Sequence, residues 1–371
     1  MKYITEFRDP EKARALANLI EKESKKNQQY RLMEFCGGHT HAIHRYGIVS
    51  LLPENVQLIH GPGCPVCVLP IARIDHAIAL AKLPNIIFCT YGDMLRVPAT
   101  KQQTLFSAKA QGADIRMVYS TNDALEIARK NPDRQVVFFA IGFETTTPPT
   151  ALALKTAKFE NLENFSVFCN HVLTPVAMQC LLESDESPNL DGFIGPAHVS
   201  IIIGSDAYLH VALHYKKPVV ISGFEPLDLM QSILMLIRLI NAKEYGVKNQ
   251  YTRAVNASGS HKSQQIIEET MIIRDQFEWR GLGWMLRSAM QIHPQYRLFD
   301  AEVKFPMKIN RGEEHKACDC GRVLRGLQSP LDCKVFATVC TPENPLGACM
   351  VSSEGACAAY YAYGQKGERA G

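Results

Sequence analysis

The feature that most restricts the fold is a series of eight short apolar runs, each closed by a polar or glycine-rich turn. The first four are RLMEF before CGGHTH, VQLI before HGPGCPVC, NIIFCT before YGDM, and IRMVYS before TNDA. The next four are VVFFAI before GFETT, FSVF before CNH, DGFI before GPAHVS, and KPVVIS before GFEPLD. Runs of this length without polar alternation read as strands buried on both faces. Helical patterns such as IDHAIALAK, NDALEIARK and LMQSILMLIRLI separate many of them. Strands alternating with helices predict an α/β protein with parallel sheets. The order of motifs in the first half is echoed in the second, so two Rossmann-like lobes are expected, over residues 30–140 and 141–245. Beyond about Asn241 the alternation stops. Residues 246–371 are expected to form a third, irregular domain, with an N-terminal helix (1–29) packing on it. That helix starts at Asp9-Pro10, an N-cap followed by proline at the first helical position.

Bulk properties narrow the class further. A chain of 371 residues is larger than one growing core supports. Its formal charge of +3 offers no broad electrostatic footprint for nucleic acid. The N-terminus is charged where a secretion signal needs an apolar core. The most apolar stretch, Leu227 to Ile240, is too short to cross a bilayer and carries Asp228 and Arg238. A cytoplasmic location is expected. In that compartment structural disulfides are disfavoured, so clusters among the twelve cysteines point to metal or redox chemistry. Cys89, Cys169 and Cys180 are scattered among apolar residues and read as small core side chains.

Ligands of open α/β sheets gather at the carboxyl ends of the strands. There the chain places Cys36, His39, His41, Cys64, Cys67, Asp93, Glu144, His171, His198 and Glu225. CGGHTH puts a thiol beside two glycines and two imidazoles, a set suited to a borderline metal or to sulfur nucleophilicity. The plain alternative is a tight strand-to-helix turn. The CPVC of HGPGCPVC reads as a redox pair, half of a metal site, or a rigid turn; no second pair follows at zinc-site spacing. Glu144 and Glu225 repeat a GFE turn, where helix capping competes with proton handling. The last six cysteines, Cys318, Cys320, Cys333, Cys340, Cys349 and Cys357, are more than a tetrahedral site uses. Their long, irregular gaps favour a [4Fe–4S] cluster over a zinc site made of paired knuckles.

Together CGGHTHAI, HGPGCPVCVLP, IIFCTYGDMLRVP, VVFFAIGFETTTP, GPAHVSIIIGSDAY, SGFEPLDLM, EWRGLG and MVSSEGACAAY closely resemble the HypD family of hydrogenase maturation factors, over roughly Tyr3 to Tyr361. The resemblance implies two α/β lobes and a third domain with one [4Fe–4S] cluster. It implies assembly of the iron centre of [NiFe]-hydrogenases, with its cyanide and carbon monoxide ligands. The partners implied are a small chaperone, HypC, and a cyanide donor, HypE, with ferredoxin or another protein as electron source. Cys36 is implied to hold iron transiently, and Cys64/Cys67 to be redox-active. The family's cluster pattern falls on Cys320, Cys333, Cys340 and Cys357, leaving Cys318 and Cys349 as spares. His39 and His41 are expected to orient or deprotonate groups around the iron, and Glu354 to support the cluster or relay protons. Two other classes remain: a stand-alone iron–sulfur thiol–disulfide reductase, and a non-redox binding module stabilised by structural metal.

Overall fold

A computed structural model describes residues 5–307 and 312–364. The expected C-terminal domain at 308–311 and 365–371, and residues 1–4, lie outside the described residues. All eight apolar runs form strands: β1 (Tyr30–Glu34), β2 (Val56–His60), β3 (Ile86–Thr90), β4 (Ile115–Met117), β5 (Gln135–Gly142), β6 (Phe165–His171), β7 (Gly192–Pro196) and β8 (Val219–Ser222). Three more were not read from the sequence: β9 (Val247–Asn249), β10 (Met271–Trp279) and β11 (Gly283–Ile292). One parallel sheet has the order β2-β1-β7-β8-β9 and the other the order β4-β3-β5-β6; β10 and β11 pair antiparallel. The α/β class with two parallel-sheet lobes is thus as expected, and β3 and β6 are buried along their whole length.

The lobes are not consecutive halves of the chain. One sheet takes its strands from residues 30–60 and 192–249, and the other is inserted between them at 86–171. The expected boundary at 140/141 falls inside β5, whose residues pair with both β3 and β6. Strand–helix alternation specifies parallel pairing through crossovers, and leaves open which strands become neighbours. β9 also moves from the expected third domain into the first sheet.

The N-terminal helix Pro10–Glu23 is capped by Asp9, which accepts from the N–H groups of Glu11 and Lys12. It packs on helix Pro226–Ala242 of the first lobe, not on the C-terminal region. Arg238 pairs with Glu23 at 2.7 Å, and Tyr30 Oη donates to Asn241 Oδ1 at 2.6 Å. Ile20 supplies its buried apolar contact. Helix Pro226–Ala242 is the apolar stretch noted above; eleven of its residues are buried against the sheet. No helix of the described residues is long and apolar enough to cross a membrane.

The β10–β11 hairpin clamps the second lobe. Leu173 N–H donates to Ser288 O at 2.9 Å, and Val172 bridges Ala289. Beneath it Arg73, 6% exposed, reaches Asn170 Oδ1 and Glu302 Oε1, each at 2.5 Å, and Cys169 O at 2.9 Å. Cys89 and Cys169 are fully buried core residues, as the sequence suggested.

Candidate thiol centre in the inter-lobe cleft

A cleft of about 660 Å³ opens at the carboxyl ends of strands from both sheets. Gly63, Pro65 and His198 line it from the first lobe, Asp93 and Thr146 from the second, and Glu354 from the C-terminal segment. Of the ten strand-end residues singled out in the sequence, Asp93 and His198 are in its lining.

Cys36 ends the extended run after β1 and is the N-cap of helix Gly37–Arg45. Its thiol, 2% exposed, lies 3.6 Å from Nε2 of His198. Burial pushes the thiol well above its usual range, with the Glu354 and Glu34 carboxylates adding to it; the N–H groups of Gly38 and His39 pull the other way. Glycines make this packing possible. A Cβ on Gly37 would sit 2.4 Å from Cβ and O of Glu354, and one on Gly63 would sit 2.2 Å from Cys36 N. Gly37 N–H donates to Gly63 O at 3.0 Å, which sets the CGG and GPG turns side by side.

The two sequence-predicted histidines have different surroundings. His39 is buried, and its Nε2–H donates to Ser222 O and Gly223 O, both at 3.1 Å. Burial lowers it to about 4, so it is neutral near pH 7, and its Nδ1 has no partner among the described residues. His41 lies against the C-terminal segment, with Nδ1 3.4 Å from Ser353 O and its ring against Tyr363. His198, absent from the chosen site residues, is the imidazole nearest the thiol. It stacks on Phe224 at 4.9 Å between ring centres, burial lowers it to about 4, and His39 stacks on Phe224 at 4.6 Å. Its only sequence signal was its place after β7 in GPAHVS. Glu34 was missed because it reads as a strand residue. It is buried, accepts from Cys36 N–H at 3.0 Å and from the Thr40 hydroxyl, and lies 2.8 Å from His60 Nδ1.

Cys64 and Cys67 are joined as a disulfide across a single helical turn, Pro65–Val68, with Cα atoms 5.2 Å apart. Cys64 is its N-cap and accepts from Cys67 N–H at 3.2 Å. Cys64 is 4% and Cys67 0% exposed, so the sulfurs lie just behind the cleft wall that Gly63, Pro65 and Val66 form. The same short helix packs on the turn Ala348–Met350 of the C-terminal cysteine region.

All six C-terminal cysteines line one small pocket, together with Val323, Val335, Phe336 and Met350. Cys318 and Cys349 therefore share its wall with the four assigned cysteines; Cys349 Sγ lies 2.7 Å from Cys320 Sγ. Among the described residues no three His, Cys, Asp or Glu side chains converge as a single metal ion would require. The donor set, thiols only within a hydrocarbon wall, fits a soft iron–sulfur cluster. Leu346 N–H already points at Cys340 Sγ, 3.4 Å away.

Glu144 stands apart from the cleft wall. It is buried, and accepts from the N–H of Thr174 at 2.7 Å and its hydroxyl at 2.8 Å, tying down the start of helix Thr174–Glu183. Burial raises it to about 7. Glu225 closes a capping box with Asp228 and pairs with Arg8. Capping, the plainer of the two readings, describes both GFE turns.

Comparison with known proteins agrees with this arrangement of motifs. A family model, HypD, described as the hydrogenase formation hypA family, matches residues 11–364. The chain is 58% identical over 370 residues to hydrogenase maturation factor HypD2 of Bradyrhizobium diazoefficiens, covering 98% of this chain and 97% of that one. It is 58% identical to HypD of Azotobacter vinelandii, covering 99% and 98%, and 45% identical to HypD of Escherichia coli K12, covering 99% of each. With the motifs, the two parallel sheets and a match along nearly its entire length in agreement, the chain belongs to the HypD family of hydrogenase maturation factors.

Proposed function

We propose that the protein is a hydrogenase maturation factor in which three thiol centres cooperate to assemble an iron centre carrying cyanide and carbon monoxide. The names of its relatives support the maturation role. One observation carries the finer reading: the Cys36 turn is hydrogen-bonded to the GPG turn that leads into the Cys64–Cys67 helix, and that helix packs on the C-terminal cysteine loop.

Iron, as cargo, is held by Cys36 jointly with a thiol of a HypC-type chaperone docked at the cleft. Cys36 loses its proton when it takes iron, because the thiolate is the ligand. His198 and the helix N-terminal amides stabilise that charge, while burial, aided by Glu354 and Glu34, keeps the empty site protonated. Cyanide arrives as a thiocyanate on a HypE-type donor. Its release takes two electrons: donor-S–CN and two thiols give donor-SH, HCN and a disulfide. The reduced Cys64/Cys67 pair supplies both electrons and both protons, with Cys64 the attacking sulfur because it is the less buried and accepts the Cys67 N–H. Cys320, Cys333, Cys340 and Cys357 are the proposed holders of a [4Fe–4S] cluster, which supplies single electrons when bound. His39 acts by holding the Ser222–Gly223 backbone and the Phe224 stack in place. Ferredoxin is the proposed kind of electron donor, in the cytoplasm.

The test is the infrared spectrum of the anaerobic complex with the small chaperone. Bands of iron-bound cyanide and carbon monoxide are expected in the wild type and absent from Cys36→Ser. A complex that matures hydrogenase without these bands would refute the reading.

A further inference from the structure

The EWRGLG motif spans the end of β10, the turn and the start of β11, outside every role assigned above. Arg280 in that turn is 3% exposed. Its backbone N–H donates to Val68 O at 2.7 Å and its Nε–H to Leu69 O at 3.1 Å, the carbonyls that finish the disulfide helix. The next residue, Gly281, has φ +79° and lies against Gly321; a Cβ there would be 2.6 Å from Gly321 Cα. The turn is thus wedged between the end of the Cys64–Cys67 helix and the Cys320–Gly321 step of the cysteine pocket. Its counter-ion is weak: Nη1 is 3.8 Å from Oε1 of Glu314, whose side chain is 42% exposed. Nη2 is buried and has no hydrogen-bond partner among the described residues. Cys320, the residue before Gly321, borders the other side of the turn.

A buried guanidinium with one half-exposed counter-ion and a free N–H is costly for structure alone. Its position between two sulfur centres accounts for it. We propose that Arg280 is a positioning residue shared by both centres: it anchors the end of the disulfide helix, and its fixed charge and spare Nη2–H raise the reduction potential of the cluster held by the C-terminal cysteines. The inference rests on the cluster reading above. A reduced cluster is one charge more negative than an oxidised one, so a nearby cation and N–H donors favour the reduced form.

The experiment uses the full chain reconstituted anaerobically, with iron and sulfide counted first and the cluster's midpoint potential then followed by paramagnetic resonance. Arg280→Gln is expected to move the midpoint to a more negative value at unchanged cluster content. Arg280→Lys, which keeps the charge, is expected to recover most of that shift. Glu314→Gln removes the opposing charge and is expected to move the midpoint the other way, by less, because solvent screens Glu314. If Arg280→Gln does not fold, Arg280→Lys decides: its midpoint is expected to fall more steeply with rising pH than that of the wild type, because a buried lysine loses its charge where arginine keeps it, and identical pH dependence overturns the role of Arg280. Unchanged midpoints in loaded variants, or equal shifts in the Gln and Lys variants of Arg280, overturn the role of Arg280 and leave the cluster standing. Wild-type protein without iron and sulfide overturns both.

Discussion

Glu144→Gln is a substitution expected to stabilise the protein, and it separates a capping carboxylate from a catalytic one. Burial lifts the Glu144 carboxyl from an ordinary 4.5 to about 7 while Thr174 donates to both its oxygens. A carboxyl whose folded value is raised favours the folded state below its unfolded value, and that advantage is lost as pH rises through its folded value. The window therefore runs from about pH 4.5 to pH 7. At 1.36 kcal/mol per unit the ionised carboxylate costs about 3 kcal/mol at pH 8, an upper figure for a fully buried group. A glutamine is neutral at every pH and keeps both contacts: its Oε1 accepts from Thr174 N–H, and its Nε2 donates to Thr174 Oγ1. Urea unfolding followed by far-ultraviolet circular dichroism would be run on both proteins between pH 5 and 8.5. The difference between them cancels the titration of all other groups. The Gln variant is expected to be ahead by less than about 1 kcal/mol at pH 5 and by about 2–3 kcal/mol at pH 8. Hydrogenase maturation by the variant is expected to persist. Identical pH dependence in the two proteins would refute the buried, titrating Glu144, and loss of maturation with a stable fold would return it to the chemistry.

Other expected outcomes follow from the same contacts. Gly63→Ala drives a Cβ to 2.2 Å from Cys36 N, backbone against backbone, and is expected to destabilise by about 3 kcal/mol or more in thermal melts. Arg73→Met leaves Glu302 paired with Arg274 alone and leaves the buried Asn170 Oδ1 and Cys169 O without their donor, and is expected to cost about 1–3 kcal/mol by urea unfolding. His198→Gln removes the imidazole beside the Cys36 thiol, and iron retention in the chaperone complex is expected to fall roughly 10–100-fold, measured by metal analysis. Cys357→Ser is expected to lose labile sulfide, whereas Cys349→Ser keeps it, although both residues line the same pocket.

The individual strands were legible because buried parallel strands are continuous apolar runs, and each was closed by a turn that the eye can find. The β10–β11 hairpin was not: MIIRDQFEW and GWMLRSAMQI mix exposed and buried positions and carry Arg274 and Arg287 within them. Its burial comes from the second lobe that it clamps, which no local pattern records. The same holds for the site. Cys36, Cys64 and Cys67 announced themselves by spacing, and the GFE carboxylates by their place at helix starts.

What the sequence alone determined was the list of elements and the chemistry available at strand ends. Tertiary structure decided who meets whom. It set β7 and β8 beside β1, and so put His198 and Phe224 next to Cys36; it set His41 against Ser353, and it gathered six distant thiols into one pocket. The physical reason is that a motif's local spacing limits which turn it makes, whereas its neighbours are chosen by the burial of whole sheet faces. That choice is made by the fold's long-range strand pairing and not by any short stretch of chain.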